Sequence, residues 1–264
     1  MYKKIIDQNY LRLPDTDDIL DTYLVEGNFA ILTDYSAYES TRGNAKINLR
    51  KSIEKIKKYP NQVLVLKTTI DFIRISNSPT LNPDDLIDYL TSKKTSEIFD
   101  NISNQDALLE NNSRIANEWF NARTKDAIEE INNLRNFKQL FSQNELNDFR
   151  NWNNTNIQLI EKIVKIALEE SYLTWKQREY TKLNDFSFHA NNFVFRFCLS
   201  GILLRLEWIK NAMFNTNCSS IVASNITDAT YYTFGTYFDG CLTKDNLSIT
   251  NEIRMRDCLS ICYK

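Results

Sequence analysis

Three aspartates stand where the chain changes element. Asp34 closes the apolar run 28–33, Asp228 sits in NITDATYYTFG, and Asp245 follows Gly240-Cys241-Leu242-Thr243. Two further acids are candidates for the same work: Glu39, five residues beyond Asp34, and Asp71 in Thr69-Ile70-Asp71-Phe72. Carboxylates drawn from distant parts of a chain suit a hard divalent cation. Mg²⁺ or Mn²⁺ takes oxygen ligands, keeps several waters and needs few side chains. Without a cation such acids repel one another, and one of them is driven toward its neutral form. Taken singly, Asp228 reads as a helix cap and Asp245 as a turn residue; taken with Asp34, they read as one site. Ser36 and Thr243 stand beside the acids as hydroxyls able to hold a carboxylate or an attacking water.

The elements that must position these acids read as α/β. Residues 29–33 form an apolar strand, 45–59 an amphipathic helix with Lys51, Lys55, Lys57 and Lys58 outward, and 62–66 a second strand. Strand, helix, strand implies parallel pairing with a right-handed crossover. Between 219 and 248 the spacing predicts a strand end at Ile221-Val222 and a loop. A helix over 229–238 follows, capped by Asn225 or Thr227 with Asp228 at its first turn, and then a short strand over 240–243. In open α/β sheets ligands sit at the carboxyl ends of strands, which is where these acids fall.

The remainder is helical by pattern. Residues 1–27 read as a helical lead-in stopped by Gly27, and 77–83, with two prolines, as a linker. Asp84-Asp85 caps a helix running through Leu90. From 84 to 213 the three-to-four spacing of apolar residues persists, with a capping box at Ser142-Gln143-Asn144-Glu145. This stretch reads as a helical layer inserted into an α/β domain made of 28–76 and 214–250. Arg205 and Glu207, near its end, are candidates to face the site. After Asp245 come a short strand or turn and a small helix, whose Arg254 and Arg256 are suited to phosphate or to a salt bridge.

At these residues the chain resembles the PIN-domain nucleases. That family has a first strand ending in Asp with Ser, Thr or Asn two residues on, here Asp34 and Ser36. It has a late Asp at a helix, here Asp228, and a strand ending Thr-x-Asp, here Thr243-Lys244-Asp245. Its remaining acid follows the second strand, where Asp71 stands in place of the usual Glu and Glu39 is the rival. The resemblance covers about 30–75 and 215–250. It implies a PIN-like three-layer α/β/α fold with a central parallel sheet and a large helical insertion. It also implies Mg²⁺ or Mn²⁺ on Asp34, Asp228 and Asp245, and hydrolysis of phosphodiester bonds in single-stranded RNA. The alternative is a PIN-like scaffold that no longer cleaves and binds protein or nucleic acid through its helical insert.

Composition bounds the chemistry. One histidine, His189, leaves no pair for a His-based zinc site, and five glycines with no GxGxxG or Walker loop argue against a glycine cradle for nucleotides. The net charge of −2 gives no general attraction to nucleic acid, so any contact needs a local patch, with Tyr35, Tyr231 and Tyr237 as candidate base-stacking rings. Five cysteines, odd in number and without a CxxC pair, read as small buried hydrophobes. No apolar run approaches the roughly 20 residues of a membrane span. The start lacks a signal-peptide core, so the expectation is a cytoplasmic protein with no membrane contact. The insertion is a further surface for a protein partner or a homodimer.

Overall fold

A computed structural model describes residues 1–12, 17–182 and 185–262. Its sheet has four parallel strands: β1 (Lys3–Ile6), β2 (Phe29–Leu32), β3 (Val63–Val65) and β4 (Cys241–Leu242), in the order β3-β2-β1-β4. Between β1 and β2 lie helices α1 (Gln8–Arg12) and α2 (Asp17–Val25). Helices α3 (Asp34–Ser40) and α4 (Ala45–Lys58) join β2 to β3, and α5 (Thr69–Ser76) follows β3. Then come α6 (Tyr89–Asn104), α7 (Asp106–Lys138), α8 (Gln143–Arg150), α9 (Ile157–Gln177), α10 (Phe193–Lys210) and α11 (Ser219–Gly235). After β4 the chain ends in α12 (Asn246–Cys262). The protein is mostly helical around a small parallel sheet.

Alternation along the strands sends side chains to two separate cores. Ile5, Ile31 and Leu64 meet Phe72, Phe193, Val194, Tyr231 and Phe234 on one face, under α5, α10 and α11. Ile6, Ala30, Leu32, Val63 and Leu242 meet Tyr10, Leu11, Leu20, Leu24 and Ile56 on the other, under α1, α2 and α4. Both faces are therefore buried, as a parallel sheet requires. A third, purely helical core joins α7 through α12 around Leu134, Phe149, Ile163, Leu199 and Trp208.

The expected strands at 29–33, 62–66 and 240–243 and the helix over 45–59 are present within a residue or two. Four expectations need correction. The lead-in contains strand β1, lying between β2 and β4, as well as helices. Its two lysines hid it: Lys3 leaves the sheet to pair with Asp84, and Lys4 lies over the Tyr23 ring. Ile221-Val222 is helix, not strand, and Asp228 lies inside α11 and not at its cap. Threonines within this helix are accommodated by back-bonding. Thr227, Thr230 and Thr233 donate to the carbonyls of Ala223, Ile226 and Ala229 at 3.1, 3.2 and 2.6 Å. Asp84-Asp85 falls in a 3₁₀ turn capped by Asn82, and Asp88 caps the helix beginning at Tyr89. Among the described residues the tail has no final strand; Asn246–Cys262 form the single helix α12. The capping box at Ser142 and Glu145 is formed as expected. Among the described residues no helix is long and apolar enough to cross a membrane.

Candidate acidic site at the switch point of the sheet

Strands β2 and β3 lie to one side of β1 and β4 to the other, so the direction of winding reverses between β1 and β4. In open α/β sheets the crevice beyond the carboxyl ends at such a point is where ligands bind. β1 delivers Asp7 there, and β4 delivers Thr243 and Asp245.

Asp7 is 4% exposed and continues the strand pairing by donating its N–H to the carbonyl of Leu242 at 3.1 Å. Its Oδ2 accepts from the hydroxyl of buried Thr243 at 2.9 Å, and that same hydroxyl oxygen accepts the N–H of Asp245 at 3.1 Å. One threonine thus ties the ends of both strands together. Asp245 caps α12, accepting from the backbone N–H groups of Leu247 and Ser248 and from the Ser248 hydroxyl at 3.3, 2.8 and 2.6 Å.

Glu39 comes from α3. Thr33 and Ser36 close the first turn of that helix in a capping box, so Ser36 supports the element that carries the acid. The Glu39 carboxylate accepts the phenol of Tyr231, from α11. Tyr231 is buried, and burial together with the charges of Glu39 and Asp7 pushes its phenol well above its ordinary range, which keeps it a donor. Asp228, one turn earlier on α11, completes the group. Burial first, and then the charges of Asp7, Glu39 and Asp245, push its carboxyl up to about 8.

The structure therefore brings together Asp228, Asp245, Glu39 and Thr243 from the candidate set and adds Asp7. Asp34 is placed differently from expectation. Its Oδ2 accepts from the Thr69 hydroxyl at 2.7 Å and the Thr69 N–H at 3.3 Å, which fastens the end of β2 to α5. Asp71 lies in the first turn of the same helix, which Thr68 caps; it accepts from the Thr68 hydroxyl at 2.9 Å and pairs with Arg74, and its side chain is 43% exposed. Between the two rivals for the fourth acid, Glu39 is the one beside Asp228. Sequence reasoning missed Asp7 because β1 is four residues long and half lysine. The available signal was Ile5-Ile6-Asp7 with Asn9 two positions on, the same strand–Asp–x–Asn spacing sought at Asp34.

Other expected neighbours are engaged elsewhere. Arg205 is held in the helical layer by Glu130 and Glu170 at 2.8 Å each, and Glu207 pairs with Arg254 below α8. Arg256 pairs with Glu252 at 2.9 Å. Lys55 donates to the Tyr10 carbonyl, and Lys57 and Lys58 pair with Asp100 and Asp21, so this lysine run serves its own fold. Tyr237 is buried and donates to the Asn191 carbonyl at 2.7 Å. His189 lies in the loop before α10, its Nδ1 accepting from Asn191 at 3.2 Å. The five cysteines are free thiols; Cys198 and Cys258 are buried and Cys262 is exposed.

Burial, and after it the charges of Asp7, Glu39 and Asp245, force the Asp228 carboxyl toward neutrality, and carboxylates with a hydroxyl beside them are donors of the kind a hard cation takes. Among the described residues no three His, Cys, Asp or Glu side chains are positioned as ready ligands of one ion. Mg²⁺ does not require such a cage, since it is commonly held through one or two carboxylates and its own waters. No family model, no curated protein and no solved structure matches the chain.

Proposed function

We propose that the protein is a metal-dependent ribonuclease of PIN type, cutting single-stranded RNA in the cytoplasm with Mg²⁺ or Mn²⁺ held at Asp7, Glu39, Asp228 and Asp245. The observation that carries this reading is the gathering of four acids from β1, α3, α11 and the start of α12 at the sheet's switch point. Two of them, Asp7 and Asp245, are joined through Thr243. The strand–Asp–x–Asn pattern at Asp7 and Asn9, the late Asp228 and the Thr243-Lys244-Asp245 ending fall in the order of the PIN motifs, and the strand order with helices on both faces supports the same reading.

Each residue has a definable task. Asp7 and Asp245 are preset by Thr243 and by the α12 cap, so they need little reorganisation to receive a cation. Glu39 is oriented by the Tyr231 phenol. Asp228, its carboxyl pushed up to about 8, would give up a proton to a cation bound there. A bound divalent ion would supply an activated water and neutralise the charge developing on the scissile phosphate.

A second reading has its own observation. The absence of a preset three-ligand cage among the described residues favours a PIN-like scaffold that binds protein or nucleic acid and does not cut. Incubating the protein with a labelled single-stranded RNA in Mn²⁺ separates the two. The nuclease reading expects cleavage by the wild type that Asp7→Asn abolishes; a wild type that leaves the RNA whole while binding it favours the scaffold.

A further inference from the structure

Helices α7, α9, α10 and α11 leave a cavity of about 390 Å³ between them. That volume lies in the range of small-molecule pockets, which occur between the helices of bundles. None of Asp7, Glu39, Asp228 and Asp245 lines it, so it is separate from the acidic crevice.

Gly201 is explained by this space. Of the chain's five glycines, all among the described residues, Gly27, Gly43 and Gly240 have positive φ, and a Cβ on Gly235 would come within 3.1 Å of the Gly240 backbone. Gly201 has neither reason to be glycine. It stands in the middle of α10, where glycine is a poorer helix former than alanine, and a Cβ there would meet no atom within 4 Å. It lines the cavity. The missing side chain weakens the helix and keeps volume open.

The charged part of the lining is the Arg205 clamp. Arg205 donates from Nε and Nη2 to the two oxygens of Glu130 at 2.8 and 3.1 Å, and from Nη1 to both oxygens of Glu170 at 2.8 and 2.9 Å. All three guanidinium nitrogens are engaged, while each of the four carboxylate oxygens keeps about one of its two lone pairs. Two carboxylates on one guanidinium also leave one negative charge in excess. The other charges of the lining balance, Asp126 and Glu129 against Arg123 and Arg178. The clamp therefore suits a cation that donates hydrogen bonds and not an anion. Phe197, Leu204, Trp208, Ile226 and Ala229 line the same space, which suits an apolar body, and two of these are rings of the kind that attract a cation.

We propose that this cavity binds a small organic monocation, an ammonium or guanidinium group on a compact apolar body, with its N–H groups on Glu130 and Glu170 and its body in the space that Gly201 leaves. The proposal does not rest on the nuclease reading. It gives the helical insertion a ligand of its own.

Isothermal titration near neutral pH with three probes of similar shape tests it: phenethylamine, phenethyl alcohol and hydrocinnamate. Wild type is expected to bind the amine about tenfold or more tighter than the alcohol, and the carboxylate weakest of the three. Glu170→Gln keeps the shape and removes the excess charge. It is expected to weaken the amine about tenfold, the share of one hydrogen bond to a charged group, and to leave the alcohol unchanged. Gly201→Leu fills the space and is expected to abolish binding of the amine and the alcohol. Gly201→Ala is expected to melt at a higher temperature than wild type; a lower one would show that packing requires the glycine and would count against the pocket. Melting curves also confirm that each variant is folded. Wild type that binds none of the probes or all three equally, or folded Glu170→Gln and Gly201→Leu proteins that bind the amine like wild type, would overturn the proposal. So would amine binding lost in Asp7→Asn and kept in Glu170→Gln, which places the amine in the acidic crevice.

Discussion

The hydroxyl of Thr243 donates to Oδ2 of Asp7 at 2.9 Å across 236 residues of chain. Through this bond and the Asp245 N–H that returns to the same oxygen, the carboxyl ends of β1 and β4 are locked at the point where the sheet reverses its winding. The first strand and the last therefore share one hydroxyl, and the site depends on both ends of the chain folding together.

Thr243→Val keeps the shape and removes that hydroxyl, which leaves the buried carboxylate of Asp7 without this donor. The expected cost is about 1–3 kcal/mol, the range for a buried polar group stripped of a partner. Thr243→Ser is expected to recover most of it. Urea unfolding of the three proteins measures both.

Asp228 makes stability depend on pH in a definite direction. Its folded carboxyl is pushed up to about 8, far above its ordinary 3.8, so the unfolded chain gives up the proton first. This contribution is fully present below the unfolded value and is lost as pH rises through the folded one. Asp228→Asn removes the dependence. The variant is expected to match wild type near pH 4 and to exceed it at pH 8, by an amount on the order of a few kcal/mol. Urea midpoints across pH 4–9 read the difference, and a flat difference would remove the acid cluster as its cause.

Tyr231→Phe deletes the phenol that orients Glu39 and leaves the ring in the core. Loss of an outer partner to a metal-binding carboxylate typically costs about 10–100-fold in metal affinity. Mn²⁺ affinity is expected to fall by that factor, while the melting temperature without metal changes little. Isothermal titration with Mn²⁺ at pH 8 measures the first quantity and a melting curve the second.

Much of this arrangement was legible in the residues. Phe29–Leu32 and Val63–Val65 are apolar runs that only a doubly covered strand accommodates, and Thr243-Lys244-Asp245 follows a strand as its spacing implies. Glu39 was in view as the rival acid and is the one beside Asp228. Asp34 bonds to Thr69 at the end of β2 and is not among the charges that raise Asp228. A strand ending in Asp identifies an acid at a sheet edge but not the strand's place in the sheet, and β2 is one strand removed from the switch point. The strand on the switch point, β1, shows only two isoleucines, because its lysines carry its other two positions out to Asp84 and the Tyr23 ring. In α11 the β-branched residues suggested extended chain. Packing against α7 and α10, together with threonine back-bonding, overrides that local preference.

The most direct measurement is the thermal stability of wild type, Asp7→Asn and Asp34→Asn at pH 8 over a Mn²⁺ titration. A cation that binds only the folded state raises the melting temperature as its concentration exceeds its dissociation constant. The expected result is a gain in wild type, the same gain in Asp34→Asn, and none in Asp7→Asn. No gain in wild type, or an undiminished gain in Asp7→Asn, would contradict a cation site at the junction of β1 and β4.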